Sequence, residues 1–115
     1  MAIKVLIERK IKPGKEKELN EVVKELRSVA IRTKGYISGE TLRSIEEPSL
    51  HLVISAWKSI EDWKSWVNSL ERKALEQKTA PILEKPTKVT PYESEFFSFD
   101  ADKALADLDY SVDGE

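Results

Sequence analysis

Residues 50–67 read LHLVISAWKSIEDWKSWV, and the reading of this stretch decides the fold. Its first half, Leu50 to Trp57, is the most apolar run in the chain and predicts a strand lying centrally in a sheet. The second half changes period. Ser59 is a good helix N-cap, with Asp62 three residues later as in a capping box. Ile60, Trp63, Trp66, Val67 and Leu70 then form one apolar helical stripe. A buried strand that passes directly into an amphipathic helix is half of a mixed α and β unit.

The same two periods recur on either side. Upstream, Tyr36 to Ile45 reads as a strand joined to Leu50–Trp57 by the turn Glu46-Glu47-Pro48-Ser49, and so short a polar connection implies an antiparallel hairpin. Before it, Leu19, Val22, Val23, Leu26, Val29 and Ala30 make a helical stripe within Lys15 to Thr33, closed by Lys34-Gly35. At the start, Ile3, Val5, Ile7 and Ile11 share one face of a period-two segment, while Lys4, Glu8 and Lys10 share the other with Leu6. Lys12-Pro13-Gly14 breaks that strand. Downstream, a further helical stretch runs from Leu70 to Thr79 and ends near Ala80-Pro81; a last strand, Thr87 to Phe97, is weakened by Pro91.

The predicted order is therefore β-α-β-β-α-β, a ferredoxin-like α+β domain over residues 1–97 followed by an acidic tail or arm over residues 98–115. Right-handed crossovers then give a four-stranded antiparallel sheet with both helices on one face. The reverse face, carrying Leu6 and Leu42, needs cover, and the sheet of a second copy in a homodimer would supply it. In the tail, Asp100 could cap a short helix containing Ala101, Leu105 and Leu108.

Composition narrows the chemistry. There is no cysteine, which removes disulfides, thiolate nucleophiles and thiolate metal ligands, and a single histidine, His51, cannot build a multi-histidine metal site. No metal and no cofactor is expected. Nineteen basic and 21 acidic residues are well mixed at a net charge of −2, so no basic footprint for nucleic acid exists. No run approaches the roughly 20 apolar residues of a membrane span, and the first residues hold no secretory core, so the expected setting is cytoplasmic.

The segment Ala56 to Ser69, AWKSIEDWKSWVNS, resembles the strand-to-helix signature of the antibiotic biosynthesis monooxygenase family. In that signature a tryptophan ends the third strand, an aromatic follows six residues later, and a histidine or tryptophan three beyond that. Trp57, Trp63 and Trp66 fit the three places. Lys12-Pro13-Gly14-Lys15 and Gly35-Tyr36-Ile37-Ser38-Gly39 are similar to the family's first loop and second-strand entry. The resemblance spans about residues 3–97 and implies a dimeric α/β barrel.

Two activities follow from the resemblance. The bacterial haem-degrading members use an asparagine on the first strand, the tryptophan matched by Trp66, and a haem-ligating histidine ten residues after it. Here those flanking places hold Ile7 and Glu76, and a glutamate is a poor proximal ligand for haem iron. Other members oxidise quinol-like aromatic compounds without metal or flavin, letting the substrate anion react with oxygen in an apolar pocket that offers a base and oxyanion donors. On that reading Ile7, Leu26 and Trp66 line the pocket, and Trp66 and Glu76 are the catalytic candidates, Glu76 as a base if burial raises its pKa. Against this stand plainer roles. Trp66 lies on the core stripe of its helix, Trp57 and Trp63 suit core or subunit contacts, Glu76 suits a solvated surface, and His51 suits a hydrogen-bonded strand position. A non-catalytic dimeric module binding a small ligand is the alternative.

Overall fold

A computed structural model describes residues 2–94. In chain order the elements are β1 (Ile3–Lys10), α1 (Glu16–Ala30), β2 (Tyr36–Arg43), β3 (Leu50–Trp57), α2 (Ile60–Val67), α3 (Leu70–Gln77) and β4 (Lys88–Glu93). The strands form one sheet in the order β2-β3-β1-β4, antiparallel at every pairing, so the apolar β3 is indeed central. This is the ferredoxin-like α+β arrangement. β4 sits at an edge, the place where the missing N–H of Pro91 is tolerated. Among the described residues no helix is long and apolar enough to cross a membrane. The expected end of the last strand at Phe97, the helix at Asp100 and the division at residue 98 lie outside the described residues.

All three helices cover the same side of the sheet. Ile3 and Val5 of β1 and Trp57 of β3 pack into one cluster with Leu19, Val22, Leu26 and Ala30 of α1 and Trp66 of α2. Burying a leucine or valine in such a cluster contributes about 1.5–3 kcal/mol each. The even-numbered positions of β1 and β3, among them Leu6, Leu52 and Ile54, belong to the reverse face and take no part in it.

The second helical region departs from the expected stripe at one place. α2 stops at Val67, Asn68 serves as its C-cap, and the hydroxyl of Ser69 caps a new helix by accepting from the Arg72 backbone N–H at 3.2 Å. The break resets the helical phase. Leu70, expected on the apolar stripe, is therefore 85% exposed. The α3–β4 connection adds core residues of its own: Ile82 and Leu83 are buried and bridge back to Ile11 and Lys12 at the end of β1.

The α1–β2 junction is equally constrained. α1 ends at Ala30 rather than near Thr33, and Gly35 turns the chain into β2 with φ at +88°. A side chain there would collide with Asp62 of α2, while the Gly35 carbonyl accepts from the Lys58 N–H at 2.8 Å. Gly14, also at positive φ, faces open space. Gly14→Ala should thus cost only the backbone penalty of about 1–2 kcal/mol. Gly35→Ala should cost clearly more in denaturant unfolding, and equal losses at the two positions would contradict the packing of Asp62 over Gly35.

Candidate functional site

The sheet and the helices do not close completely. Between them lies a hollow of about 70 Å³, floored by Ile7 and Arg9 of β1 with Val53, Ser55 and Trp57 of β3. Val23 and Leu26 of α1 and Trp63 and Trp66 of α2 wall it, and Arg72 and Glu76 of α3 close one end. Pockets that enclose drug-sized ligands run to roughly 300–1,000 Å³, so this one has room for little more than a single small ring.

The aromatic wall has a fixed geometry. Trp57 is fully buried, stacks on Trp66 with centroids 5.9 Å apart and planes 25° apart, and meets Tyr36 edge-on at 5.4 Å. Its indole N–H donates to the Ser55 hydroxyl at 3.2 Å, so the polar atom of the buried ring is satisfied. One ring thereby ties β3 to both α2 and β2 and fixes the hollow's inner surface.

The opposite end is charged. Arg9 is 4% exposed, and its Nη2 donates to both carboxylate oxygens of Glu76, at 2.9 and 3.2 Å. The Thr87 hydroxyl donates to Glu76 Oε1 at 2.7 Å, and Arg72 stands 3.9 Å from Oε2. Burial by itself pushes the Glu76 carboxyl up. The Arg9 charge and hydrogen bonds, the Thr87 bond and the Arg72 charge outweigh that effect, and its pKa lies below the ordinary 4.5. The raised pKa that a base at this position would need is therefore not what the structure holds. Glu76 is an ionised carboxylate committed to two arginines.

Ile7, Leu26, Trp66 and Glu76, singled out from the sequence, all line this one hollow, as do Trp57, Trp63 and Tyr36. His51 does not. It is buried on β3 opposite Arg9, with its pKa lowered by burial and by Arg43, against a raising effect of Glu16. Tyr92 is half-exposed on β4, away from the hollow. Sequence reasoning missed Arg9. The signal was present: Arg9 falls in phase between Ile7 and Ile11 on the buried face of β1, where a cation demands a partner.

The lowered Glu76 pKa gives a signed consequence. Its ionised form is favoured by folding, so the stability it contributes is complete above about pH 4.5 and is lost as pH falls through the depressed folded-state value. Glu76→Gln should lower stability at neutral pH by about 3 kcal/mol by stranding Arg9. It should also flatten the acid limb of a plot of stability against pH, measured by urea unfolding. An unchanged acid limb would show that the pair does not form.

The model of the antibiotic biosynthesis monooxygenase family matches residues 2–78. No curated protein matches the chain. Solved structures share its fold at low identity. A conserved protein from Methanosarcina mazei Go1 is 22% identical with a TM-score of 0.78, the match covering 83% of this chain and 94% of that one. Rv0793 from Mycobacterium tuberculosis is 12% identical with a TM-score of 0.77, covering 86% of this chain and 100% of that one. SnoaB, a cofactor-independent oxygenase from Streptomyces nogalater, is 8% identical with a TM-score of 0.75, covering 86% of this chain and 98% of that one. With the family model spanning two-thirds of its length, the chain belongs to the antibiotic biosynthesis monooxygenase family.

Proposed function

We propose that this protein is a cofactor-independent monooxygenase that oxidises a small aromatic or quinol-like molecule in the hollow beside Trp66. The observation that carries the reading is the hollow itself, with aromatic rings along one side and guanidinium groups at one end. Its family membership supports the reaction class, as does a fold shared with SnoaB, a cofactor-independent oxygenase.

The chemistry asks little of the protein. A phenol-type ring that has lost its proton is electron-rich enough to react with O₂. One oxygen becomes a new carbonyl on the ring and the other leaves as water, so the substrate supplies all the electrons. The site must exclude water, hold the ring, and stabilise negative charge on the substrate oxygen. Trp63 and Trp66 offer the surface for the ring. Arg9 and Arg72 offer the positive charge, and we assign Glu76 to holding Arg9 in place rather than to removing the proton.

The two roles for Glu76 separate in kinetics. With oxygen uptake as the assay and hydroxylated quinols as substrates, Glu76→Gln should raise KM by about tenfold, change kcat little and leave the acidic limb of the pH profile in place. A fall in kcat of about a hundredfold or more with loss of that limb would make Glu76 the base. No acceleration by the wild-type protein with any single-ring quinol would remove the monooxygenase reading.

The working unit in this proposal is a homodimer joined through the sheet faces. Leu6, Leu52 and Ile54 lie on the side without helices, and Leu42 beside them is 40% exposed. Light scattering after size exclusion should give a dimer for the wild type and a monomer for Leu52→Glu. A wild-type monomer at micromolar concentration would contradict the assembly.

A further inference from the structure

Of the three side-chain hydroxyls that line the hollow, two are engaged. Ser55 accepts from the Trp57 indole and Thr41 accepts from Arg27, while the Tyr36 hydroxyl has no partner among the described residues. Nor is it sealed in. Arg9 Nε is the buried side-chain polar atom left without a partner among the described residues, so the half-buried Tyr36 keeps its hydroxyl accessible. That hydroxyl also has a made place. It lies over Gly39, where an added Cβ would collide with it. Gly39 stands inside β2 without a positive φ, so its backbone does not call for glycine. A glycine weakens a strand interior and often marks a close approach by another group. Here that group is the hydroxyl alone, because the ring carbon bearing it would stand 3.6 Å from the same Cβ, an ordinary contact. The ring is fixed as well, edge-on to Trp57 at 5.4 Å, and the Tyr36 backbone N–H donates to the Thr33 carbonyl at 3.2 Å. A donor held this way loses little freedom when a ligand meets it.

Position then selects the ligand. Tyr36 and Gly39 belong to the edge strand β2 at the aromatic end of the hollow, and the half-buried Arg72 belongs to α3 at the charged end. We propose that Tyr36 is a specificity-determining residue, whose hydroxyl donates to an oxygen of the bound ring on the side opposite the oxygen that faces Arg72. The hollow therefore prefers a ring oxygenated at both ends, a 1,4-quinol, to one oxygenated at a single end. This inference rests on the hollow being the working site and names the substitution pattern that the site reads; it does not depend on turnover.

Two measurements on the full chain test it. The first is urea unfolding of Gly39→Ala, Tyr36→Phe and the double variant. Gly39→Ala should lower the midpoint, Tyr36→Phe should hardly move it, and the double variant should recover most of the loss. Equal losses in Gly39→Ala and the double variant would show that the hydroxyl is not seated on Gly39 and would overturn the proposal. The second is anaerobic isothermal titration with hydroquinone and 4-methylphenol, which differ by a hydroxyl against a methyl of similar size. The wild type should bind hydroquinone about tenfold more tightly. Tyr36→Phe should lose that preference and leave 4-methylphenol binding as it was. A preference that survives in Tyr36→Phe, equal binding of the two by the wild type, or no binding of either at millimolar concentration overturns the proposal. Oxygen uptake is read separately. Preference for hydroquinone without turnover keeps this inference and removes the monooxygenase, whereas turnover of quinols without that preference does the reverse.

Discussion

A guanidinium held at 4% exposure inside a small domain must have a partner, and the position of α3 follows from that requirement. Arg9 stands on the helix-facing side of β1 because strand periodicity puts it in phase with Ile7 and Ile11. The carboxylate that compensates it comes from Glu76, 67 residues later, on a helix that buries no residue of its own. α3 is held by Leu75, partly buried against the core, and by this charged contact, strengthened by Thr87 from the start of the last strand region. The same contact closes the hollow and separates it from an outer groove that Arg72, Glu76 and Val89 also line.

The remaining contacts are apolar and cumulative. Trp57 serves the aromatic end as Arg9 serves the charged end, joining β2, β3 and α2 through Tyr36, Ser55 and Trp66. Between the two ends the sheet floor and α1 leave a gap that the side chains of Ile7, Leu26 and Val23 line without filling. A cavity in a domain of this size lowers stability, since each lining atom forgoes packing contacts. It sits beside the Arg9–Glu76 pair, the most buried ion pair among the described residues.

Most of the fold was legible because it is carried by periodicity. The run LHLVISAW and the alternation from Ile3 to Ile11 specify their strands, and the α1 stripe from Leu19 to Ala30 matches the buried residues. The failures are local and have causes. Leu70 fits the phase of α2, and only the cap at Ser69 shows that the phase restarts. Ile82 and Leu83 follow a helix end and a proline, where no period exists to read. Gly35 was read as a helix terminator because its backbone role is local, whereas its packing against Asp62 is not.

The hollow was legible in part. Ile7, Leu26, Trp66 and Glu76 came from a family signature and from spacing, and all four meet there, but the signature says nothing about the protonation of Glu76. That depends on Arg9 and Thr87, which only the sheet register brings to α3. Carbon-13 NMR of the Glu76 carboxyl carbon through a pH titration reads this pairing most directly. A midpoint below 4.5, with a slowly exchanging Arg9 Nε–H signal that persists at neutral pH, is the predicted result. A midpoint above that value would mean that the carboxyl is buried without its arginine, and the charged end of the hollow would not exist as described.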